Sequence, residues 1–211
     1  MLSLDDVLKR DGLSVEQLKS LSYKSDLKIS LRRKLKDFDY DELMNDIFAA
    51  QAWLLEKASQ TRLALDYRVK SIQSIVKKYH THDPNNGMSN VFNDLLGFRS
   101  LCDSYDEIAA LKSAEHFRVV DMSCGKKNDD GYRGVHVYFK LSNNHYPIEI
   151  QYNTYFDRQL NNWLHKYVYK RQKSLEIGRI LRNNYENGNI RTEKEFVEVF
   201  NDVLSDSKRL Q

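Results

Sequence analysis

Residues 135–152 read VHVYFKLSNNHYPIEIQY and contain two alternating patterns on either side of a polar turn. In 135–141 the odd-numbered residues are apolar, and in 146–152 the even-numbered residues are hydrophobic or aromatic. Because successive side chains of a strand point to opposite faces, each segment predicts a strand with one apolar and one polar face. The polar faces carry His136, Tyr138, Lys140, His145, Pro147, Glu149 and Gln151. The pair predicts a sheet buried on one side only.

The remaining sequence supplies further strands and helices around this pair. Strand patterns occupy residues 63–70, 95–101 and 117–122. Helical patterns occupy residues 41–57, 71–79, 106–114, 156–185 and 192–207. Ser14 and Gln17 form a capping-box pattern, which predicts short helices near the N-terminus. The segment HTHDPNNGMSN at 80–90 predicts a loop, because Pro84 and Gly87 interrupt regular structure.

These elements predict the α+β class, with a mixed β-sheet of about five strands flanked by helices and with helical extensions at both ends. A chain of 211 residues is long enough to bury one sizeable core. We expect a single domain, consisting of a helical N-terminal extension (1–60), a core (61–170) and C-terminal helices (171–211).

Composition restricts the class of protein. Thirty-three basic and thirty acidic residues give a net charge of +3, which is too small to indicate nucleic-acid binding by itself. Cys102 and Cys124 form no CxxC pair, so the sequence favours neither a disulfide framework nor a zinc site. The first residues lack a secretion signal, and no apolar run is long enough to span a membrane. We expect a cytoplasmic protein without membrane contacts.

Two carboxylates are candidate metal ligands. Glu149 lies in the middle of a strand, where a buried charge is costly without a cation or hydrogen-bond donors. Asp94 precedes the apolar segment 95–98 and can converge with Glu149 on a neighbouring strand. Two carboxylates and phosphate oxygens suit Mg²⁺, which prefers hard oxygen ligands. The alternative for each residue is a solvated charge paired with a lysine at a strand edge.

A strand-to-helix corner is a candidate polyphosphate site. Arg68 and Lys70 end the strand, and Ser74 and Lys78 lie one helical turn apart in the segment that follows. Helix N-terminal amides and basic side chains both favour anions at such a corner. A solvated basic surface is the ordinary alternative.

Two planar side chains are candidates for stacking on a base. Arg99 presents a flat guanidinium, although a structural ion pair would also explain it. Tyr132 lies between two glycines just before a strand, where it can stack on a ligand base or belong to the rim of the core. His136, on the strand that follows, is more commonly a hydrogen-bonded structural histidine than a catalyst.

Four ordered segments together resemble the successive motifs of the RelA/SpoT synthetase family. They are RVKSIQSIVKK (68–78), DLLGFR (94–99), DGYRGVH (130–136) and IEIQ (148–151). The resemblance covers roughly residues 63–170, and the chain is similar to the single-domain small alarmone synthetases of this family. It implies a nucleotidyltransferase-like fold and the transfer of the β,γ-pyrophosphate of ATP to a ribose 3′-hydroxyl, with release of AMP.

The resemblance also implies roles for individual residues. Arg68 and Arg99 would enclose the adenine of ATP, and Lys70, Ser74 and Lys78 would hold its phosphates. Asp94 and Glu149 would be the catalytic residues and the Mg²⁺ ligands, with Glu149 also activating the attacking hydroxyl. Residues of the acceptor side would be Tyr132, Arg133, His136 and Gln151.

Two departures from the family pattern lie on the acceptor side. The family usually carries serine where Gly134 stands, and arginine-threonine where Asn153-Thr154 stands. The donor side keeps its residues, so we expect ATP to be used with an acceptor other than GDP or GTP. The sequence around 148–165 is similar to toxic family members that modify the 3′-terminal adenosine of tRNA and are inhibited by an antitoxin protein.

A basic segment near the N-terminus is a candidate tRNA contact. Its members are Lys24, Lys28, Arg32, Arg33, Lys34 and Lys36, of which we assign Lys28, Arg32, Arg33 and Lys34 to tRNA. A solvated helical face balanced by neighbouring aspartates is an equal alternative. The remaining alternatives are synthesis of guanosine or adenosine alarmones and an inactive RNA-binding module. A homo-oligomer, common among small synthetases, is also expected as an alternative to pairing with an antitoxin.

Overall fold

A computed structural model describes residues 4–60, 66–171 and 175–209. The first five helices are α1 (Leu4–Arg10), α2 (Val15–Leu21), α3 (Tyr40–Gln60), α4 (Ile72–Thr81) and α5 (Met88–Val91). The last three are α6 (Tyr155–Tyr167), α7 (Leu175–Glu186) and α8 (Glu193–Arg209). Short 3-10 helices occupy Leu35–Asp37, Tyr105–Ser113 and Tyr169–Arg171. Every helix within the described ranges is too short or too polar to cross a lipid bilayer.

Five strands form one sheet in the order β1-β2-β5-β4-β3. They are β1 (Asp66–Val69), β2 (Leu96–Leu101), β3 (Phe117–Asp121), β4 (Val135–Phe139) and β5 (Ile148–Asn153). β1 and β2 are antiparallel, with Arg68 opposite Gly97. β2 and β5 run in the same direction, since Gly97 lies beside Glu149 and the Cys102 amide donates to the Asn153 carbonyl. The sheet is therefore mixed, and the predicted α+β class is confirmed.

The structure adjusts several sequence predictions. The helix expected at 106–114 is a 3-10 helix over Tyr105–Ser113. The segment 80–90, predicted as a loop, contains the start of α5 at Met88. The first amides of this helix, those of Met88 and Ser89, donate to the carbonyls of residues 33 and 31. The Ser14 cap is confirmed, since its hydroxyl accepts from the Gln17 amide. The part of the first strand predicted at Leu63 and Leu65 lies outside the described residues.

The chain divides into two compact units, the first comprising residues up to Ser100, Asp106–Val120 and His136–Tyr152. Two buried carboxylates join its helical segments to its strands. Asp11 accepts hydrogen bonds from the hydroxyls of Ser100 and, at 2.7 Å, Tyr152. Asp46 on α3 accepts from Ser25 and Tyr146, each at 2.7 Å. These bonds fix the N-terminal helices to the apolar side of the sheet.

The second unit comprises Leu101–Tyr105, Asp121–Val135 and the residues from Asn153 onward. Its core is formed by α6, α7 and α8, whose fully buried members include Leu160, Leu164, Leu181, Phe196 and Phe200. A buried arginine, Arg182, connects these helices to the loop that precedes β4. Its guanidinium donates to the Gly131 carbonyl at 2.8 Å and to Asp157 at 2.6 Å.

Candidate active site

The polar face of the sheet collects several of the candidate residues of the first unit. Arg68 and Gly97 are cross-strand partners, and directly opposite residues share a face. A Cβ on Gly97 would lie 3.5 Å from that of Glu149, so β5 presents Glu149 on this same face. Strand alternation adds Arg99 from β2 and Gln151 from β5. The polar face therefore brings together donor-side and catalytic candidates from three neighbouring strands.

Asp94, at the entrance to β2, binds two lysines. Its Oδ2 lies 2.6 Å from Nζ of Lys70, and its Oδ1 lies 2.9 Å from Nζ of Lys78. Burial would raise the pKa of Asp94, but the charges and hydrogen bonds of Lys78 and Lys70 outweigh it and lower the pKa. Asp94 is thus ionised at neutral pH and fixes the positions of both ammonium groups.

The strand-to-helix corner is built as the sequence predicts. Ser71 caps α4 by accepting a hydrogen bond from the Ser74 amide, and the two hydroxyls lie 2.8 Å apart. The Lys70 carbonyl accepts from the buried Gln51 side chain of α3 at 2.8 Å, which holds the end of β1. The exposed Ser74 and the first turn of α4 consequently lie next to the two lysines that Asp94 holds.

Glu149 is only 4% exposed and is bound by several donors. Its Oε1 lies 3.0 Å from Nδ1 of His136, and its Oε2 accepts from Nε2 of Gln151 at 2.7 Å. Burial would raise the pKa of Glu149, but hydrogen bonds from His136, Tyr138 and Gln151 lower it. Glu149 is therefore ionised at neutral pH and is a weak proton acceptor.

Tyr138 is a site residue that sequence reasoning missed. Burial raises the pKa of its hydroxyl, and the charge of Glu149, the hydrogen bond to it and the charge of Asp94 raise it further, so both carboxylates act on one hydroxyl. Arg118 of β3 lies over the Tyr138 ring at 4.4 Å. The sequence contained a signal for Tyr138, because it lies two residues after His136 on the polar face of the same strand, whereas no motif pointed to Arg118.

Arg99 has an unusual environment on the polar face. Its Nε atom is buried, and within the described residues it has no hydrogen-bond partner. Arg68 is its diagonal neighbour across β1 and β2, since Arg68 pairs with Gly97 and Arg99 follows two residues later. Two planar guanidinium groups on one face, with a glycine between them, provide a surface on which a flat base can lie.

The carboxylates meet the chemical requirements of a magnesium site. Asp94 and Glu149 are both ionised, both influence Tyr138 and supply the hard oxygen atoms that Mg²⁺ prefers. Within the described ranges, no group of three or more His, Cys, Asp or Glu side chains is placed to hold a metal. A metal bound to these two residues would therefore take its other oxygens from substrate phosphates and water.

Tyr132 and Arg133 belong to the second unit. Lys126 lies 5.0 Å from the centre of the Tyr132 ring. The Arg133 guanidinium forms a two-pronged bond with Asp129 at 2.7 and 3.0 Å, which raises its pKa. Its backbone carbonyl accepts from Asn153 at 2.8 Å. Asp129 of the same loop thus holds the Arg133 side chain, and the buried Asn153 side chain holds the Arg133 backbone.

The basic segment is exposed at Lys28, Arg32, Arg33 and Lys34. Arg33 forms an ion pair with Asp37 at 3.2 Å. No acidic side chain in the described ranges pairs with the other three. Asp39, one of the aspartates near this segment, accepts hydrogen bonds from the backbone amides of residues 41 and 42 at the start of α3.

Two ionised carboxylates, two lysines and two arginines of the first unit are groups of the kind that bind a metal-bound polyphosphate in enzymes that use nucleoside triphosphates. Residues 67–174 match the family model described as a region found in RelA/SpoT proteins. The match covers just over half of the chain, which therefore belongs to this family and is a pyrophosphokinase. No curated protein sequence matches the chain.

Solved structures with similar folds include small alarmone synthetases. Small alarmone synthetase 2 from Bacillus subtilis is 20% identical with a TM-score of 0.47, and the match covers 80% of this chain and 99% of the synthetase. Small alarmone synthetase 1 from the same organism is 24% identical with a TM-score of 0.42, covering 67% and 80%. A GTP pyrophosphokinase family protein from Streptococcus pneumoniae is 20% identical with a TM-score of 0.43, covering 82% and 97%. These values are too low to assign an acceptor.

Proposed function

We propose that this pyrophosphokinase transfers the β,γ-pyrophosphate of ATP to the 3′-hydroxyl of the terminal adenosine of tRNA and releases AMP. The modified tRNA cannot be aminoacylated, so the enzyme acts as a toxin controlled by an antitoxin. The exposed basic segment carries this proposal, because Lys28, Arg32 and Lys34 have no ion-pair partner among the described acidic residues. Unpaired cations on a surface favour a phosphate backbone.

ATP is the donor that the polar face fits. Arg68 and Arg99 enclose the adenine, while Lys70, Lys78 and Ser74 bind the phosphates. Asp94 positions both lysines before a nucleotide arrives, so little side-chain freedom is lost on binding. Nε of Arg99 is buried without a hydrogen-bond partner among the described residues, so a bound ligand can supply one.

Glu149 orients the attacking hydroxyl, and its lowered pKa suits that role. Pyrophosphate transfer passes through a loose transition state, so the hydroxyl needs alignment more than early removal of its proton. Mg²⁺, held by Asp94 and Glu149, would neutralise charge on the transferred oxygens. His136 and Gln151 keep the carboxylate in one orientation, at 3.0 and 2.7 Å.

The acceptor side supports an acceptor other than a guanosine nucleotide. Asn153 replaces the arginine that family members usually carry, and its side chain is buried against the Arg133 carbonyl. Arg133 is itself bound to Asp129. The side chains of Asn153 and Arg133 are thus occupied within the second unit, whereas Tyr132 is the candidate for stacking on the acceptor base.

The first test is transfer from γ-labelled ATP, in the presence of magnesium, to deacylated tRNA, GDP, GTP and ATP, each offered separately. The label should appear on tRNA and should disappear with Glu149→Gln. Label on GDP or GTP alone would identify a (p)ppGpp synthetase, and label on ATP alone an adenosine alarmone synthetase. No transfer that depends on Glu149 to any acceptor would contradict the catalytic assignment and favour an inactive RNA-binding module.

A paired variant tests the basic segment itself. Arg32→Gln with Lys34→Gln should reduce transfer to tRNA about tenfold or more, because two of the cations assigned to phosphate contacts are lost. Transfer to any free nucleotide that serves as acceptor should not change. An equal effect on both acceptors would show that the segment supports the fold rather than binding RNA.

A further inference from the structure

A pocket of the first unit lies next to Tyr138. Its volume is about 240 Å³, and its lining includes Ser89, Asn90, His116, Arg118, Tyr138 and Lys140. Its lining contains no acidic residue. No family motif named above contains the two cations of this pocket, Arg118 and Lys140.

The cations of the pocket repel one another. Burial lowers the pKa of Lys140, and the positive charges of Arg32 and Arg118 lower it further. Nζ of Lys140 donates to the Ser89 hydroxyl at 3.3 Å, and no carboxylate in the described ranges forms an ion pair with it. With no carboxylate ion-paired to Arg32, Arg118 or Lys140 in the described ranges, these neighbouring positive charges favour the binding of an anion.

The pocket is adjacent to the catalytic carboxylate through a single side chain. Tyr138 lines the pocket, and its hydroxyl is hydrogen-bonded to Glu149. Arg118 lies over the same ring at 4.4 Å. The Tyr138 side chain would thus separate an anion in the pocket from the acceptor hydroxyl that Glu149 orients in the proposed reaction.

The other side of the pocket borders the basic segment. The Ser89 amide donates to the Leu31 carbonyl and the Met88 amide to the Arg33 carbonyl, both at 2.9 Å. Arg32 lies between these two anchored positions and is near enough to lower the pKa of Lys140. A row of cations therefore runs from Arg118, beside Tyr138, through Lys140 to Arg32 of the exposed basic segment.

We propose that the Arg118–Lys140 pocket binds the phosphate on the 5′ side of the acceptor ribose whose 3′-hydroxyl reacts. This inference rests on the proposed function, since it extends the acceptor site. A ribose places its 5′-phosphate and its 3′-hydroxyl on opposite sides of one sugar, which matches a pocket separated from Glu149 by one ring. The same chemistry belongs to a nucleic-acid phosphodiester and to the 5′-phosphates of a free nucleotide. The row of cations leading to Arg32 favours the nucleic acid.

Kinetics with Lys140→Gln and Arg118→Gln test the pocket. Each variant should raise KM for tRNA, or for whichever nucleotide acts as acceptor, about tenfold or more, because a charge-assisted phosphate contact is lost. For Lys140→Gln the kcat and the KM for ATP should not change, and transfer to a nucleoside without a 5′-phosphate should equal that of the unmodified protein. Lys140→Arg, which keeps the charge, should retain most of the affinity. Arg179→Gln, an exposed arginine of α7, is the matched control.

Binding measurements separate this inference from the proposed reaction. Equilibrium dialysis with labelled tRNA and labelled GDP needs no turnover, so it tests whether the pocket binds the acceptor even if no acceptor is modified. Weaker binding of tRNA alone identifies a phosphodiester, and weaker binding of GDP identifies a nucleotide phosphate. If both variants fold, as judged by thermal unfolding, and bind both probes like the unmodified protein, the pocket has no role in acceptor binding.

Discussion

Nδ1 of His136 lies 3.0 Å from Oε1 of the buried Glu149. The imidazole is therefore a direct partner of the proposed catalytic carboxylate, and both residues lie on the polar face of the sheet. Since hydrogen bonding to His136 is the largest influence that opposes burial, His136 helps to keep Glu149 ionised.

His136→Ala should move the acidic limb of the pH–rate profile to higher pH. Without the imidazole, burial of Glu149 is less well opposed, so its pKa rises and the carboxylate is protonated at a higher pH. The check is kcat/KM between pH 4.5 and 8, with His80→Ala, an exposed histidine of α4, as control. An unchanged limb with a uniformly lower rate would assign His136 to positioning alone.

Asp94→Asn should destabilise the protein at neutral pH by about 1.5–3 kcal/mol, because Lys70 and Lys78 lose their anionic partner. The pKa of Asp94 is lowered on folding, so its contribution is present above the unfolded pKa and disappears as pH falls through the folded one. Urea unfolding should therefore show the difference from the unmodified protein shrinking below pH about 3.9.

The matched control for this measurement is Asp103→Asn. Asp103 is exposed, and its substitution should change the free energy of unfolding by no more than about 0.5 kcal/mol. A difference for Asp94→Asn that stays constant with pH would mean that its charge does not stabilise the two lysines.

Arg99→Ala should raise KM for ATP about tenfold, since the flat guanidinium that contacts the base is lost. Arg99→Lys should restore little, because an ammonium group cannot stack. The measurement is initial rate against ATP concentration at saturating acceptor, with the exposed Lys112→Ala as control. If KM for ATP stays constant while the melting temperature falls, Arg99 is a structural residue.

Gly178→Ala should impair acceptor use without affecting ATP. A Cβ at Gly178 would lie 2.0 Å from the Asp130 carbonyl oxygen, so the loop that carries Tyr132 has to shift. We expect KM for the acceptor to rise at least tenfold and stability to fall by about 1–3 kcal/mol. Asn183→Ala, exposed on the same helix, should change neither quantity. A normal acceptor KM would show that the position of Tyr132 is unimportant.

The sequence predicts the features that depend on local periodicity. Alternation in β4 and β5 placed His136 and Glu149 on one polar face, and the structure brings them into contact. The capping residue Ser14 is likewise confirmed, since a cap involves residues three apart. Strand ends differ by one or two residues, because pairing with neighbours decides where a ladder stops.

Features that join distant segments could not be predicted in this way. Arg182 looks like a solvated charge of an amphipathic helix, yet it is 1% exposed because Gly131 and Asp157 supply acceptors from elsewhere. The pairing of Lys70 and Lys78 with Asp94 also depends on the fold, since each cation alone fits a surface role. The two-lysine arrangement became visible only once β1, α4 and β2 were placed together.

The bond from Tyr152 to Asp11 has a consequence for synthesis of the protein. Its partners are 141 positions apart, and Ser100 binds the same carboxylate. Contacts of such long range form late, because the intervening chain must first be made and then closed into a loop. Residue 152 has to leave the ribosome before this bond can form, so the first unit cannot be completed on a shorter nascent chain.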